Sequence, residues 1–217
     1  MLLTMSQSTR ISKSGQVYLV EDDGDIRSHL TDLLRHLGYS VSAFTGAAEF
    51  LTQVQVLSPA VLVLDMRMPG MSGLELQQTL AAQACSLPIV FISGESQSQE
   101  IIDAMKGGAV DFLWKPFAQS QLQAAIDKGL AIDMARAAND KRLAMVAQRF
   151  ASLSPREVMI FELMRSGHGN KAIAVLTGIM ADTVKKHRAQ VLAKMEVDTL
   201  ADLLTLCKDF TPPTDIH

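Results

Sequence analysis

Five polar side chains stand at or just past the ends of short apolar runs, where parallel strands of an α/β sheet usually carry their chemistry. They are Asp22 and Asp23 after 17–20, Asp65 after 61–64, Ser93 after 88–92 and Lys115 after 110–114. Carboxylates grouped in this way repel one another unless a cation joins them, and their hard oxygen atoms suit Mg²⁺. A carboxylate beside Mg²⁺ can act as a nucleophile toward a phosphoryl group. Lys115 then offers a positive charge to the phosphoryl oxygens, and the Ser93 hydroxyl offers a hydrogen bond.

Asp65 lies between a predicted buried strand and a predicted turn. Four consecutive aliphatic residues at 61–64 favour a strand covered on both faces, and Pro69 with Gly70 favours a turn. Taken alone, the stretch is also compatible with an aspartate that only caps the turn. The four other polar side chains at strand ends favour the chemical interpretation.

Alternating apolar runs and amphipathic segments predict the element order of the first part of the chain. The predicted strands are 17–20, 39–44, 61–64, 88–92 and 110–114. Five strands that alternate with five helical segments indicate a doubly wound, flavodoxin-like α/β domain with a five-stranded parallel sheet. Because the carboxyl ends of parallel strands meet at one edge, the five polar side chains should converge there.

The composition of the chain divides it into successive parts. We predict a disordered leader at 1–15, an α/β domain at 16–130, a linker helix at 131–152, a small all-α domain of four helices at 153–208 and a tail at 209–217. From Ala118 to Phe150 there is no proline and a single glycine, Gly129. This composition favours helix, and it is compatible with one continuous helix or with a break near Gly129.

The last part of the chain has the pattern of a helix-turn-helix. Ser154, Pro155 and Glu157 form a helix-start signature with a capping serine and a glutamate three residues later. Two short helices and a turn at Gly178 precede a third helix, whose residues 183–195 include four basic side chains and no acidic one. Such a helix is typical of the one that enters the major groove of DNA. An ordinary solvated basic face is the alternative.

Composition excludes several classes of protein. The 217 residues are 48% hydrophobic and carry a net charge of −3, so the chain can build substantial cores. Its two cysteines are far apart in sequence and indicate neither a disulfide framework nor a metal site. No apolar run approaches the ~18 residues that cross a bilayer, and we expect a cytoplasmic protein without a membrane partner.

Residues 16–130 resemble the receiver domain of bacterial two-component response regulators. The resemblance rests on Glu21-Asp22-Asp23, on Leu64-Asp65-Met-Arg-Met-Pro-Gly-Met-Ser-Gly, on Ile92-Ser93-Gly94 and on Lys115-Pro116-Phe117. It implies that Asp65 is the phosphoacceptor and that Asp22, Asp23 and Asp65 hold Mg²⁺ together with the Arg67 carbonyl. It also implies that Ser93 and Phe112 form the switch pair, that Lys115 binds the phosphoryl group, and that the Lys115-Pro116 peptide bond is cis.

Residues 153–208 resemble the LuxR-type helix-turn-helix that ends regulators of the FixJ/NarL family. The matching stretches are Leu-Ser-Pro-Arg-Glu at 153–157, Gly169-Asn-Lys-Ala-Ile-Ala, Thr183-Val-Lys-Lys-His-Arg and Leu192-Ala-Lys-Met. The resemblance implies base contacts from Lys185 and Lys186, and phosphate contacts from Arg188, Asn170 and Lys171. The family usually has a serine before the third helix where this chain has Met180. Loss of such a cap costs roughly 0.5–2 kcal/mol.

The combined resemblance implies a transcription regulator rather than an enzyme, since a receiver catalyses only its own phosphorylation and dephosphorylation. The expected partners are a sensor histidine kinase, double-stranded DNA, RNA polymerase and a second copy of the phosphorylated chain, joined through a surface around Ile102 and Met105. One alternative is a phosphorylation-gated protein-binding module without DNA binding. Another is a Mg²⁺-dependent phosphohydrolase, which needs a general acid two residues after the nucleophile, where this chain has Arg67.

Two oppositely charged side chains flank the expected mouth of the phosphoryl site. Arg67 lies two residues after Asp65, and Glu95 lies two residues after Ser93. We expect an Arg67–Glu95 ion pair that slows hydrolysis by screening the phosphoryl group from water. In the alternative, both side chains point into solvent.

Overall fold

The computed structural model describes residues 15–212. Two compact units divide between Ala137 and Ala138. Residues 1–14 of the predicted leader and 213–217 of the predicted tail lie outside the described range.

The first unit alternates strands with helices, as the sequence predicts. Its strands are β1 (Gln16–Val20), β2 (Ser40–Phe44), β3 (Ala60–Asp65), β4 (Ile89–Ser93) and β5 (Asp111–Trp114). Its helices are α1 (Gly24–His36), α2 (Ala47–Gln53), α3 (Gly73–Ala82), α4 (Ser98–Lys106) and the beginning of α5 (Gln119–Ala151). The strands pair in parallel in the order β2-β1-β3-β4-β5. This topology confirms the predicted doubly wound five-stranded sheet.

The central strand β3 is buried at all six of its positions. Successive side chains of a strand point to opposite faces, so β3 contributes to two cores. Leu62 and Leu64 pack on one face of the sheet, and Val61 and Val63 pack on the other. Coverage on both faces explains why β3 is a continuous aliphatic run rather than an alternating one.

Helix α5 passes through Gly129 without a break. The reason for a glycine at this position is the close approach of α5 to β3. A Cβ atom on Gly129 would lie 2.6 Å from Val61 Cγ2. The glycine therefore permits tight packing of helix on sheet and does not end the helix.

A buried carboxylate ties α5 to the amino-terminal edge of the sheet. Asp133 is fully buried, and its Oδ2 accepts a 2.9 Å hydrogen bond from the Ala60 amide at the start of β3. Arg136 pairs with Asp133 and also donates to the Ser86 carbonyl. Asp133 and Arg136, which we predicted to lie in the linker, thus belong to the first unit.

The second unit contains the end of α5 and four further helices. These are α6 (Pro155–Arg165), α7 (Asn170–Thr177), α8 (Ala181–Lys194) and α9 (Leu200–Leu206). Ser154 caps α6 together with Glu157, as the helix-start signature predicts. The rings of Phe161 and Phe210 both contact Phe150, so the core extends past the predicted end of the domain at 208. Within 15–212 no helix is both long enough and apolar enough to cross a membrane.

Candidate functional site

Three carboxylates meet at the carboxyl edge of the sheet. Glu21, Asp22 and Asp65 each place an oxygen atom within 4.8 Å of the others. Glu21 directly follows β1, and Asp65 is the last residue of the neighbouring strand β3, so the pairing of these strands brings their ends together. Glu21 and Asp65 are buried, while Asp22 is exposed.

Asp23, which we expected among the metal ligands, is not part of this group. Its Oδ1 instead accepts hydrogen bonds from the amides of Asp25 and Ile26, both at 2.9 Å, and so caps α1. The bond from Ile26 is the main reason why the pKa of Asp23 is lowered. In the structure, therefore, Glu21 rather than Asp23 joins Asp22 and Asp65 in the cluster of three carboxylates. An aspartate followed by Gly24 and Asp25 is itself a helix-start pattern, which could have indicated this from sequence.

Lys115 places its ammonium group between two of the three carboxylates. Its Nζ lies 2.7 Å from Glu21 Oε2 and 2.9 Å from Asp65 Oδ1. Burial raises the pKa of both carboxyl groups, and the hydrogen bond from Lys115 acts in the opposite direction on each. One lysine balances one of three negative charges. The remaining charge and the hard oxygen atoms suit a small divalent cation such as Mg²⁺.

The loop after β3 holds Asp65 in place from its backbone. The Arg67 backbone acts to lower the pKa of the Asp65 carboxyl, against the larger effect of burial. Gly73, at the start of α3, approaches so closely that a Cβ atom there would lie 2.4 Å from the Asp65 carbonyl oxygen. Local packing therefore fixes the backbone at Asp65.

Ser93 lies at the end of β4, next to β3, but its hydroxyl is turned toward the following loop. Ser93 Oγ donates to the Glu95 carbonyl at 2.7 Å and accepts from Ser96 Oγ at 2.9 Å. Phe112, on the neighbouring strand β5, is partly buried, and its ring meets that of Trp114 edge to face at 5.3 Å. Ser93 and Phe112 thus lie on adjacent strands, as a switch pair requires.

Arg67 has a different partner from the one we expected. Its Nη2 lies 3.3 Å from Glu100 Oε2, in the first turn of α4. Glu100 also accepts a hydrogen bond from the Gln97 amide at 2.7 Å, which fixes the carboxylate toward the loop. Glu95 contacts Ser93 through its backbone carbonyl, which accepts a hydrogen bond from the Ser93 hydroxyl. The predicted Arg67–Glu95 pair is therefore corrected to Arg67–Glu100, and no gate is assigned to Glu95.

Exposed apolar side chains mark one part of the first unit. Ile102 and Met105 on α4 are 45% and 44% exposed, and Trp114 on β5 is 48% exposed. Helix α4 packs against β5. The side chains that we selected for a dimer surface are thus accessible in the single chain.

The expected DNA-contacting side chains of the second unit fall into two groups. Lys185 and Lys186 on α8 are exposed, as are Asn170 and Lys171 at the start of α7. Arg188 is partly buried, and its Nη1 donates to the His168 carbonyl at 3.0 Å. Arg188 therefore also holds α8 against the loop before α7.

Lys194, the last basic residue of α8, forms a contact that the sequence did not indicate. Its Nζ lies 2.6 Å from Glu157 Oε2 and 3.0 Å from the Ser152 carbonyl. Hydrogen bonding by Lys194 is the main cause that lowers the pKa of Glu157 to about 2. Nothing in the local sequence pairs two residues this far apart, so only the tertiary fold shows the contact.

Comparison with known proteins gives both units a family. Residues 17–127 match the family described as response regulator receiver domain, and residues 151–207 match the bacterial regulatory proteins of the luxR family. Nodulation protein W of Bradyrhizobium diazoefficiens is 39% identical over 198 residues, 91% of this chain and 87% of that protein. The transcriptional regulatory protein FixJ of the same organism is 36% identical over 196 residues, 90% of this chain and 96% of that protein.

Solved structures agree with these matches. The response regulator StyR is 40% identical with a TM-score of 0.78, over 90% of this chain and 99% of that one. Full-length FixJ from B. japonicum is 36% identical with a TM-score of 0.56, over 90% of this chain and 96% of that one. Since both units match a family and the relatives are aligned over most of their length, the chain belongs to the response regulators that join a receiver domain to a LuxR-type DNA-binding domain.

Proposed function

We propose that this response regulator controls transcription through phosphorylation of Asp65 by a sensor histidine kinase. The observation that carries the proposal is the Asp65 carboxylate, held 2.9 Å from Lys115 Nζ beside two further carboxylates, in a chain that also contains a basic helix-turn-helix. Glu21, Asp22 and Asp65 would hold Mg²⁺ together with the Arg67 carbonyl. Bound there, Mg²⁺ would neutralise charge on the phosphoryl oxygens.

Asp65 acts as the nucleophile. One of its carboxylate oxygens bonds to phosphorus as the bond between phosphorus and the kinase histidine breaks, which leaves an acyl phosphate on Asp65. Lys115 already contacts Asp65 Oδ1, so its ammonium group can move onto a phosphoryl oxygen without a large displacement.

The switch begins when the Ser93 hydroxyl turns toward the new phosphoryl group. To do so it gives up its hydrogen bond to the Glu95 carbonyl, which frees the loop before α4. Phe112 then rearranges on the neighbouring strand. Its ring contacts Trp114, the single tryptophan of the chain, so tryptophan emission provides a reporter for this step.

The phosphorylated chain dimerises through α4 and β5 and binds double-stranded DNA. Ile102, Met105 and Trp114 supply exposed apolar surface for the interface. Lys185 and Lys186 contact base edges, while Asn170, Lys171 and Arg188 contact phosphates. Two DNA-binding units on one duplex gain affinity by avidity, and the bound dimer acts on RNA polymerase.

Phosphoryl transfer to Asp65 is tested by labelling the full chain with acetyl phosphate and Mg²⁺. The wild-type protein should take up the label, while Asp65→Asn should not, and chelation of Mg²⁺ should prevent labelling. Uptake by Asp65→Asn at the wild-type rate would show that the phosphoacceptor lies elsewhere.

A further inference from the structure

Met180 is a large apolar side chain presented to solvent at the start of α8. It is 77% exposed, while the preceding Ile179 packs against the core of the second unit. Met180 occupies the N-cap position of α8 and makes no capping hydrogen bond with its side chain. Its backbone carbonyl still accepts from the Val184 amide at 3.0 Å, so the helix begins here without help from the side chain.

Neither packing nor capping within the chain explains this side chain. Serine, threonine, aspartate and asparagine are the residues that stabilise a helix at its N-cap, because their side chains bind free backbone amides. Two other helices of the second unit have a serine or threonine at the N-cap, Ser154 before α6 and Thr199 before α9. Both of these side chains accept a hydrogen bond from a free backbone amide of their helix. An exposed methionine gives up that stabilisation, and an external partner accounts for the choice.

The charges around Met180 indicate what that partner is. Lys185 and Lys186 are exposed in the next turn of α8, and Lys171 is exposed at the start of α7. Asp182 is the one acidic residue in the first turn of α8, so the exposed lysines of α7 and α8 outnumber it and fit a polyanion. In a helix-turn-helix, the amino-terminal residues of the second helix contact base edges in the major groove. The apolar group that a base pair presents there is the C5-methyl of thymine.

We infer that Met180 is a specificity-determining residue that packs against the C5-methyl group of a thymine in the bound DNA. The inference rests on the proposed function, since it requires that α8 enters the major groove. It assigns to Met180 an apolar contact alongside the polar contacts of Lys185 and Lys186.

The test begins by selecting tightly bound duplexes from a random library, using the full chain with Mg²⁺ and beryllofluoride, a stable mimic of the phosphoryl group. Each thymine of the selected duplex is then replaced singly by deoxyuridine, which removes only the methyl group. Wild-type affinity should fall about fourfold when one particular thymine of each half-site is replaced. This is the change expected for the loss of one buried methyl-sized group, about 0.8 kcal/mol. The matched variants are Met180→Ser, which restores a cap, and Leu204→Ser, which removes an apolar side chain of α9 that is 44% exposed.

Met180→Ser should bind the thymine and deoxyuridine duplexes equally well, while Leu204→Ser should keep the wild-type preference. The Met180→Ser protein should also melt at a higher temperature, which shows that any loss of preference is not a loss of fold. The inference is overturned if wild-type protein ignores every deoxyuridine, or if Met180→Ser keeps the wild-type preference. If the wild-type chain enriches no sequence at all, the proposed DNA binding fails and this inference fails with it.

Discussion

At the scale of single residues, the three clustered carboxylates of Glu21, Asp22 and Asp65 are the acids that we propose as cation ligands. Glu21 and Asp23 flank Asp22 in sequence, but the structure brings Glu21 to Asp65 and uses Asp23 to cap α1. Glu21→Gln should therefore raise the Mg²⁺ concentration at which acetyl phosphate labelling is half-maximal. Asp23→Asn is the matched control, because asparagine also caps helices, and it should leave this concentration unchanged. A shift confined to Asp23→Asn would contradict the assignment.

A second prediction at this scale concerns pH and the stability of the second unit. The pKa of Glu157 is lowered from its ordinary 4.5 to about 2, mainly by the hydrogen bond from Lys194 and also by hydrogen bonds from Ser154, so the folded state binds this proton more weakly than the unfolded state. The contribution to the free energy of unfolding is complete above pH 4.5 and is lost as the pH falls toward 2. Because Lys194 is 40% exposed, we expect a modest contribution, about 1 kcal/mol.

Denaturant unfolding of wild type and Lys194→Met between pH 7 and pH 3 measures this contribution. Other carboxyl groups titrate in both proteins, so the difference between the two curves isolates the pair. The difference should shrink as the pH falls. A difference that stays constant with pH would show that Lys194 acts through packing alone.

At the scale of elements, the packing of α5 on β3 depends on Gly129. An added methyl group would collide with Val61, and overpacking of this kind costs about 1–3 kcal/mol. Gly129→Ala should therefore lower the free energy of unfolding of the first unit, although alanine favours helix. In a Val61→Ala background the cost of the same substitution should largely disappear. If Gly129→Ala raises the free energy of unfolding, the close approach of α5 to β3 does not require a glycine at this position.

The elements themselves follow from local pattern, and the site follows only in part. Apolar runs, turn residues and the Ser154 signature predict the strands, the helices and the edge where Asp65 and Lys115 meet. The run Glu21-Asp22-Asp23 does not reveal which acids face the site, because that depends on where β1 ends and α1 begins. The Arg67–Glu100 pair depends on the path of the loop before α4, and the Lys194–Glu157 pair depends on tertiary packing. Neither leaves a local pattern in the sequence.

At the scale of the whole molecule, phosphorylation should change the association of two chains. Sedimentation with Mg²⁺ and beryllofluoride should show a shift from monomer to dimer in the wild-type protein. Ile102→Asp should prevent the shift, because a charge in an apolar interface is costly to bury. Val56→Asp is a matched control, since Val56 is 40% exposed and lies outside α4 and β5. A dimer equally strong without beryllofluoride would count against a switched interface.

The central claim is that the state of Asp65 controls binding to DNA. The direct measurement is the affinity of the full chain for its selected duplex, with Mg²⁺, in the presence and absence of beryllofluoride. The wild-type affinity should rise by about 5–150-fold, the range of an allosteric coupling of about 1–3 kcal/mol, and Asp65→Asn should show no rise. Equal wild-type affinity in the two conditions, or the same rise in Asp65→Asn, would contradict the account.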